Sequence, residues 1–206
     1  MHKLFEPDSI VMRTMTRICD LFFLNLVFLL SCIPVVTIGA AVTAMYTVCF
    51  RFDTEKEYGI FKSYCNAFRD NWKQATAVWL IILLCGGSAC FNCFLFSSLS
   101  GTLRYTSLVF AVLLALVLLT AGYVFPLISQ FHNRMMPTLK NAFALSVGYL
   151  PRSILVTAIN ILPFAILLTN IYLFFQTAFI WVTIYFAAGA YLNSKLLKTI
   201  LDPYLK

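Results

Sequence analysis

Residues 31–46 read SCIPVVTIGAAVTAMY, and they lie inside residues 21–50, a run without a charged side chain. A proline, a glycine and the hydroxyls of Ser31, Thr37 and Thr43 stand where a plain membrane helix would carry leucines. As one helix, residues 21–50 would reach roughly 45 Å, too long for one ordinary crossing. Pro34 lacks a backbone donor and disfavours helix at Ile33. Thr37 then has the chemistry of a helix cap, and Gly39 is tolerated in the first turn that follows. The segment therefore predicts a tight corner between two short helices; the alternative is a single long, tilted helix with a proline kink. Thr37, Ala40, Ala41 and Ala44, with Gly39 and Thr43, repeat at three- and four-residue spacing. Small residues so placed let membrane helices approach closely.

The rest of the chain has the same character. Its 206 residues are 61% hydrophobic and 11% charged, with mean hydropathy +0.87. Soluble domains carry roughly 25% charged residues, so a chain this apolar has too little surface to show to water. Uncharged runs recur at 75–103, 105–131 and 153–194. A helix of about 20 residues crosses hydrocarbon, so the first two runs hold one span each and the third holds two. The expected fold is all-α: a polytopic membrane protein, one integral domain over 1–206, with six spans at about 15–33, 36–51, 74–97, 105–130, 153–169 and 172–193. No cleavable leader is expected, because Arg13 and Arg17 precede the first run and no small-residue cleavage site follows it closely.

Charge orients the chain. Of the 15 Lys and Arg residues, Arg104 alone falls on the far side of this arrangement. The excess of cations on one side places both termini in the cytoplasm. The net charge of +7 is then accounted for by orientation and by anionic lipid at the cytoplasmic face, and implies no nucleic-acid partner.

Two cytoplasmic connectors read as amphipathic helices. Residues 54–57, TEKE, form a capping-box pattern. Phe61, Tyr64, Cys65, Phe68 and Trp72 follow at helical spacing, with Lys62, Arg69 and Lys73 on another face. This helix is expected to lie in the headgroup plane. In the second connector, Pro137 suits the first helical position, Leu139, Phe143, Val147 and Leu150 form a stripe, and Gly148 and Pro151 mark its end. Such connectors either anchor to lipid or offer a docking surface.

Two segments resemble a known family. Ile33, Pro34, Thr37, Gly39, Ala41, Ala44 and Tyr46 fit an LPxxTxGxAxxAxY-like pattern, and Phe68, Asn71, Trp72, Lys73 and Ala75 fit F-x-x-N-[WF]-[RK]-x-A. Over its first 80 residues the chain is similar to the YesL-type family of bacterial integral membrane proteins, whose biochemical function is not established. Members of that family are commonly encoded beside carbohydrate-uptake transporters and sensor kinases. The resemblance therefore implies a partner among carbohydrate ABC transporters or sensor kinases, with Pro34, Thr37, Gly39, Phe68, Asn71, Trp72 and Lys73 as the candidate motif or docking residues.

Catalytic patterns are missing from the sequence. His2 and His132 are far apart, and no metalloprotease, phosphate-loop or nucleophile-elbow pattern occurs. No catalytic, metal or cofactor residues are expected. Cys90 and Cys93 form a C-x-x-C, but helical i, i+3 side chains sit roughly 5–6 Å apart, wider than a disulfide allows. The span centres carry neutral Asn25, Asn92, Asn160, Asn170 and Gln176 instead of charges. Hydrogen bonds between helices are their expected use. Residues 85–89, CGGSA, and 187–190, AAGA, are small-residue patches expected to pack on one another. The function expected is a non-enzymatic accessory or regulatory membrane protein; the alternative is a small transporter or permease subunit for a neutral solute such as a sugar. The second reading lacks buried charge and the E-A-A…G loop of ABC permeases.

Overall fold

The computed structural model describes residues 10–52, 59–99, 104–131 and 134–201. Among them every regular element is helical: α1 (Ile10–Ser31), α2 (Ile38–Arg51), α3 (Ile60–Ser97), α4 (Thr106–Gln130), α5 (Met135–Gly148), α6 (Leu150–Thr169), α7 (Ile171–Gln176), α8 (Ala178–Ile180) and α9 (Phe186–Leu201). A 3-10 turn, Val35–Thr37, opens α2, and a π turn, Trp181–Tyr185, joins α8 to α9. Four helices, α1, α3, α4 and α6, are long and apolar enough to cross a membrane. Their outward surfaces carry Leu84, Phe94, Leu108 and Leu168, each at least 63% exposed, as a lipid-facing surface requires.

The corner forms as its proline dictates. Pro34 is extended at φ −76°, ψ 110°, and the chain reverses from α1 into α2. Ser31 and Thr37 meet at one end of this hairpin, while at the other Arg17 donates to the Phe52 carbonyl at 2.6 Å. The two helices are therefore antiparallel, which excludes the single kinked helix. The guanidinium also lies over the Phe52 ring, 4.5 Å from its centre. A cation there complements the negative end of the α2 dipole, so Arg17 ties the hairpin shut instead of only reaching for lipid.

α2 is the centre of the molecule. Gly39, Ala40, Ala41 and every residue from 43 to 49 are buried, against α1, α3, α4 and α9. At 14 residues it is roughly 21 Å long. Its small side chains allow neighbours on all sides to close on it. One core cluster joins Leu24, Phe28, Ala44, Tyr46, Cys49, Tyr64 and Phe125; another joins Ala40, Ala75, Val78, Val124, Leu127, Ala142 and Leu197.

Three expectations are corrected. Residues 60–73 do not form a separate helix in the headgroup plane. They are the first turns of α3, one continuous helix of 38 residues that runs antiparallel to α2. Gly39 abuts Ala75 and Trp79 near one end of α2, and Arg51 donates to Ser63 at the other, at 3.1 Å. Ser63, Tyr64 and Ala67 face the bundle, while Phe61 and Trp72 turn away from it. The expected capping box at 54–57 lies outside the described residues; Gly59 precedes α3 without a side-chain cap.

In α5, Pro137 sits third in the helix. Thr138, Ala142 and Ser146 face inward, and the apolar residues Phe143 and Val147 face out. The small residues of α5 pack on the neighbouring helices, and its large apolar side chains divide between the core, at Leu139, and the outer surface. Span 172–193, third, is interrupted at Thr177 and again at the π turn before α9 continues to Leu201.

Candidate functional site

The two sequence segments that carry the family resemblance meet face to face. A Cβ on Gly39 would stand 2.5 Å from the Ala75 carbonyl oxygen and 2.6 Å from the Trp79 Cβ. Only glycine permits α2 and α3 to come this close, so Gly39 and Ala75 are two halves of one contact. Trp79 completes it by donating its indole N–H to the Val35 carbonyl at 2.9 Å. Thr37 acts differently from the expected cap. Its hydroxyl makes no bond to α2; it points back to the carbonyls of Ser31 and Pro34, both at 2.8 Å. The last carbonyl of α1 is satisfied in this way, and Pro34 itself stands exposed at the turn.

The remaining motif residues do not gather into one site. Phe68 is half-buried and stacks on Tyr64, centroids 6.3 Å apart. Asn71 donates to the Ala67 carbonyl of its own helix at 3.0 Å, so it is not a free projecting edge. Trp72 is 46% exposed and Lys73 is exposed beside it. Phe68 and Trp72 thus part company although four residues apart: the first packs into the bundle and the second points outward. Lys62 and Arg69 are exposed along the same stretch. An aromatic side chain among cations is suited to lipid headgroups or to a partner.

Polar groups inside the bundle are neutral and interlocked. Asn25 is fully buried; its amide nitrogen donates to the Trp181 and Val182 carbonyls at 3.2 and 2.7 Å, and its oxygen accepts the Ala187 N–H at 3.0 Å. A π turn leaves backbone groups without their usual partners, and here one asparagine on α1 takes up those groups. Asn193, also fully buried, donates to the Tyr46 hydroxyl at 3.2 Å and to Asn160 at 3.1 Å. This Tyr46–Asn193–Asn160 cluster links α2, α9 and α6. The Asn193 side-chain oxygen has no partner, nor has the buried Thr157 hydroxyl one turn before Asn160. Ser153 and Tyr123 hydroxyls are 2.9 Å apart, and Ser153 reaches the Ser146 carbonyl at 2.8 Å, which joins α4, α5 and α6.

The expected interhelical role holds for Asn25 and Asn160. Asn92 instead bonds its own helix, and Asn170 caps α7 by accepting the Leu173 N–H. Asn193 was not singled out in the sequence, because it lay at the end of an expected span; its signal was one further uncharged amide at helical distance from Gly189. The two small-residue patches are not partners: Gly86 lies over Val117 of α4, and Gly189 meets Ile159 of α6.

Cys90 is exposed and Cys93 half-buried on the unbroken α3, both unpaired. Among the described residues no group of His, Cys, Asp and Glu could hold a metal ion; His2 and His132 lie outside them. A mostly apolar cleft of about 230 Å³ opens between α4, α5 and the end of α9, lined by Leu127, Phe131, Thr138, Asn141, Leu145 and Leu201 among others.

Residues 21–93 match the model of a family described as protein of unknown function, DUF624. The matched stretch takes in the second half of α1, the corner, α2 and nearly all of α3, so it includes the Gly39–Ala75 contact. No curated protein and no solved structure matches the chain.

Proposed function

We propose that this chain is a non-enzymatic integral membrane protein that serves as an accessory or regulatory partner of a carbohydrate-uptake transporter or sensor kinase. The DUF624 match and the paired segments at 33–46 and 68–75 support placing it with the YesL-type proteins, and the sugar-uptake setting rests on that placement. Both termini are assigned to the cytoplasm by their cations. The described cations Arg17, Arg51 and Lys62 cluster about the open end of the α1–α2 hairpin, whereas Arg104 stands across the α3–α4 connection.

The observation that carries the reading is the position of α2. A transporter of this size needs a polar route between its helices, and here the centre is filled by a helix whose residues 43–49 are all buried. What is left for interaction is the outer face: Trp72 and Lys73, with Lys62 and Arg69, on the exposed side of α3.

The small-transporter reading keeps one observation in its favour. The orphaned Asn193 oxygen and Thr157 hydroxyl lie on the adjacent helices α9 and α6, and neutral amides and hydroxyls are the groups a sugar-binding site uses. Reconstitution separates the two readings. In proteoliposomes the accessory protein takes up no labelled mono- or disaccharide above protein-free vesicles; saturable uptake that is lost in Asn193→Leu establishes the transporter instead.

A further inference from the structure

We propose that α1 and α2 form a re-entrant hairpin: the corner at 31–37 dips into the hydrocarbon from the charge-bearing side and turns back there, so that its tip is an acyl-chain-contacting wedge and not an external loop. The bilayer is then crossed by α3, α4, α6 and the α7–α9 run.

Register carries the argument. The corner is pinned to α3 at Trp79 through the Val35 carbonyl and at Ala75 through Gly39. Trp79 is six residues past exposed Lys73, a rise of roughly 9 Å. From Trp79, α3 continues through apolar residues to Ser97, roughly 27 Å further. A corner on the far side of the membrane would have to meet α3 near Ser97; this one meets it in the first third of the uncharged run. Neighbours of α2 agree. Ala40, at its start, shares a core cluster with Ala142 of α5 and Leu197 of α9. These residues stand beside Lys140 and Lys198 in the sequence. Arg51, at its other end, reaches Ser63 next to Lys62. Arg51 therefore stands level with Lys62, and the corner end of α2, held at Ala75 and Trp79, is the deeper one.

Hydrogen bonding gives an independent reason. Hydrocarbon favours backbone carbonyls that have an internal donor, and three carbonyls of the corner have one. The carbonyls of Ser31 and Pro34 take the Thr37 hydroxyl, Pro34 also takes the Thr37 N–H at 2.9 Å, and Val35 takes the Trp79 indole. Meanwhile Leu30, Ile33, Val35 and Val36 are 65%, 75%, 59% and 52% exposed, an apolar tip without a charge. The connection between α3 and α4 is the opposite case, with Ser97, Ser98, Ser100, Thr102 and Arg104.

The test is labelling with a membrane-impermeant maleimide, against the labelling of the parent's own cysteines. Ile33→Cys is suited because its side chain points away from the bundle. In intact cells Ser98→Cys is expected to label and Ile33→Cys is not; in inverted vesicles Ile33→Cys again stays unlabelled, and it reacts only after detergent is added. Labelling of Ile33→Cys from outside at the rate of Ser98→Cys restores two full crossings and overturns the hairpin. Labelling from inside overturns the insertion. If Ile33→Cys does not accumulate, native Cys32 in the parent protein, followed by peptide mass spectrometry, decides by the same outcomes.

Discussion

Replacing Gly39 by alanine adds a single methyl group where the structure has no room for one. That carbon would sit 2.5 Å from the Ala75 carbonyl oxygen and 2.6 Å from the Trp79 Cβ. Comfortable contacts lie near 3.5–4.0 Å, so α2 and α3 must separate by roughly 1 Å. Neither obstacle can swing aside, since one is backbone and the other is the root of a side chain. Overpacking of this kind costs about 1–3 kcal/mol, here toward the upper end, while alanine's better helix propensity returns about 1 kcal/mol. The net loss is about 1–2 kcal/mol, and at roughly 2–4 °C per kcal/mol for a chain of this size the apparent Tm falls by about 2–8 °C. Gly39→Leu loses more and accumulates poorly. The assay is thermal unfolding of detergent-purified protein by tryptophan fluorescence. Gly87→Ala is the internal control: its added Cβ meets nothing within 4 Å, so only the propensity gain remains and the melt is unchanged or slightly higher. If Gly39→Ala melts with Gly87→Ala or above it, the two helices are not held at that distance and the account of the motif fails.

Asn25→Leu keeps the volume but leaves two carbonyls and one N–H of the π region without a partner, so it lowers stability by about 2 kcal/mol, and hydrogen exchange of Ala187 accelerates more than that of Leu127. Trp79→Phe removes the bond to Val35 and costs about 1 kcal/mol, whereas Trp72→Phe stays within about 0.5 kcal/mol of the parent; equal melts for the two would contradict the clamp on the corner. Arg17→Met severs the tie to Phe52 and lowers the Tm by an amount equivalent to about 1–2 kcal/mol, while Arg69→Met, on the exposed face, leaves the melt unchanged.

Much of this architecture was legible in residues 31–46. Proline and the small-residue spacing announced a corner and a close approach, because both depend on local backbone and side-chain size. What they approached was not legible: a glycine shows how near a neighbour comes, and nothing at Gly39 points to Ala75 or Trp79. The helical character of 60–73 was readable, but its continuity with the following span was not. The composition changes from charged to apolar near Gln74, and that change reflects surroundings rather than a break; no proline or glycine stands there. In α5 the stripe was legible but not its division: Phe143 and Val147 face out as a lipid-lying helix would have them, while Leu139 packs against the core, because periodicity identifies a face without saying what meets each member of it. The π turn carried no local signal at all. It depends on Asn25, far back in the chain, whose role shows only once α1 and α9 are packed together.

The accessory role is tested most directly by photo-crosslinking in the native membrane from two positions on α3. A photoreactive residue in place of Trp72, on the exposed charged stretch, is predicted to capture a component of a carbohydrate transporter or a sensor kinase, while the same residue in place of Leu84, 70% exposed on the apolar stretch, captures lipid alone. Identical products from the two positions, with lipid and no protein partner at Trp72, would contradict the account.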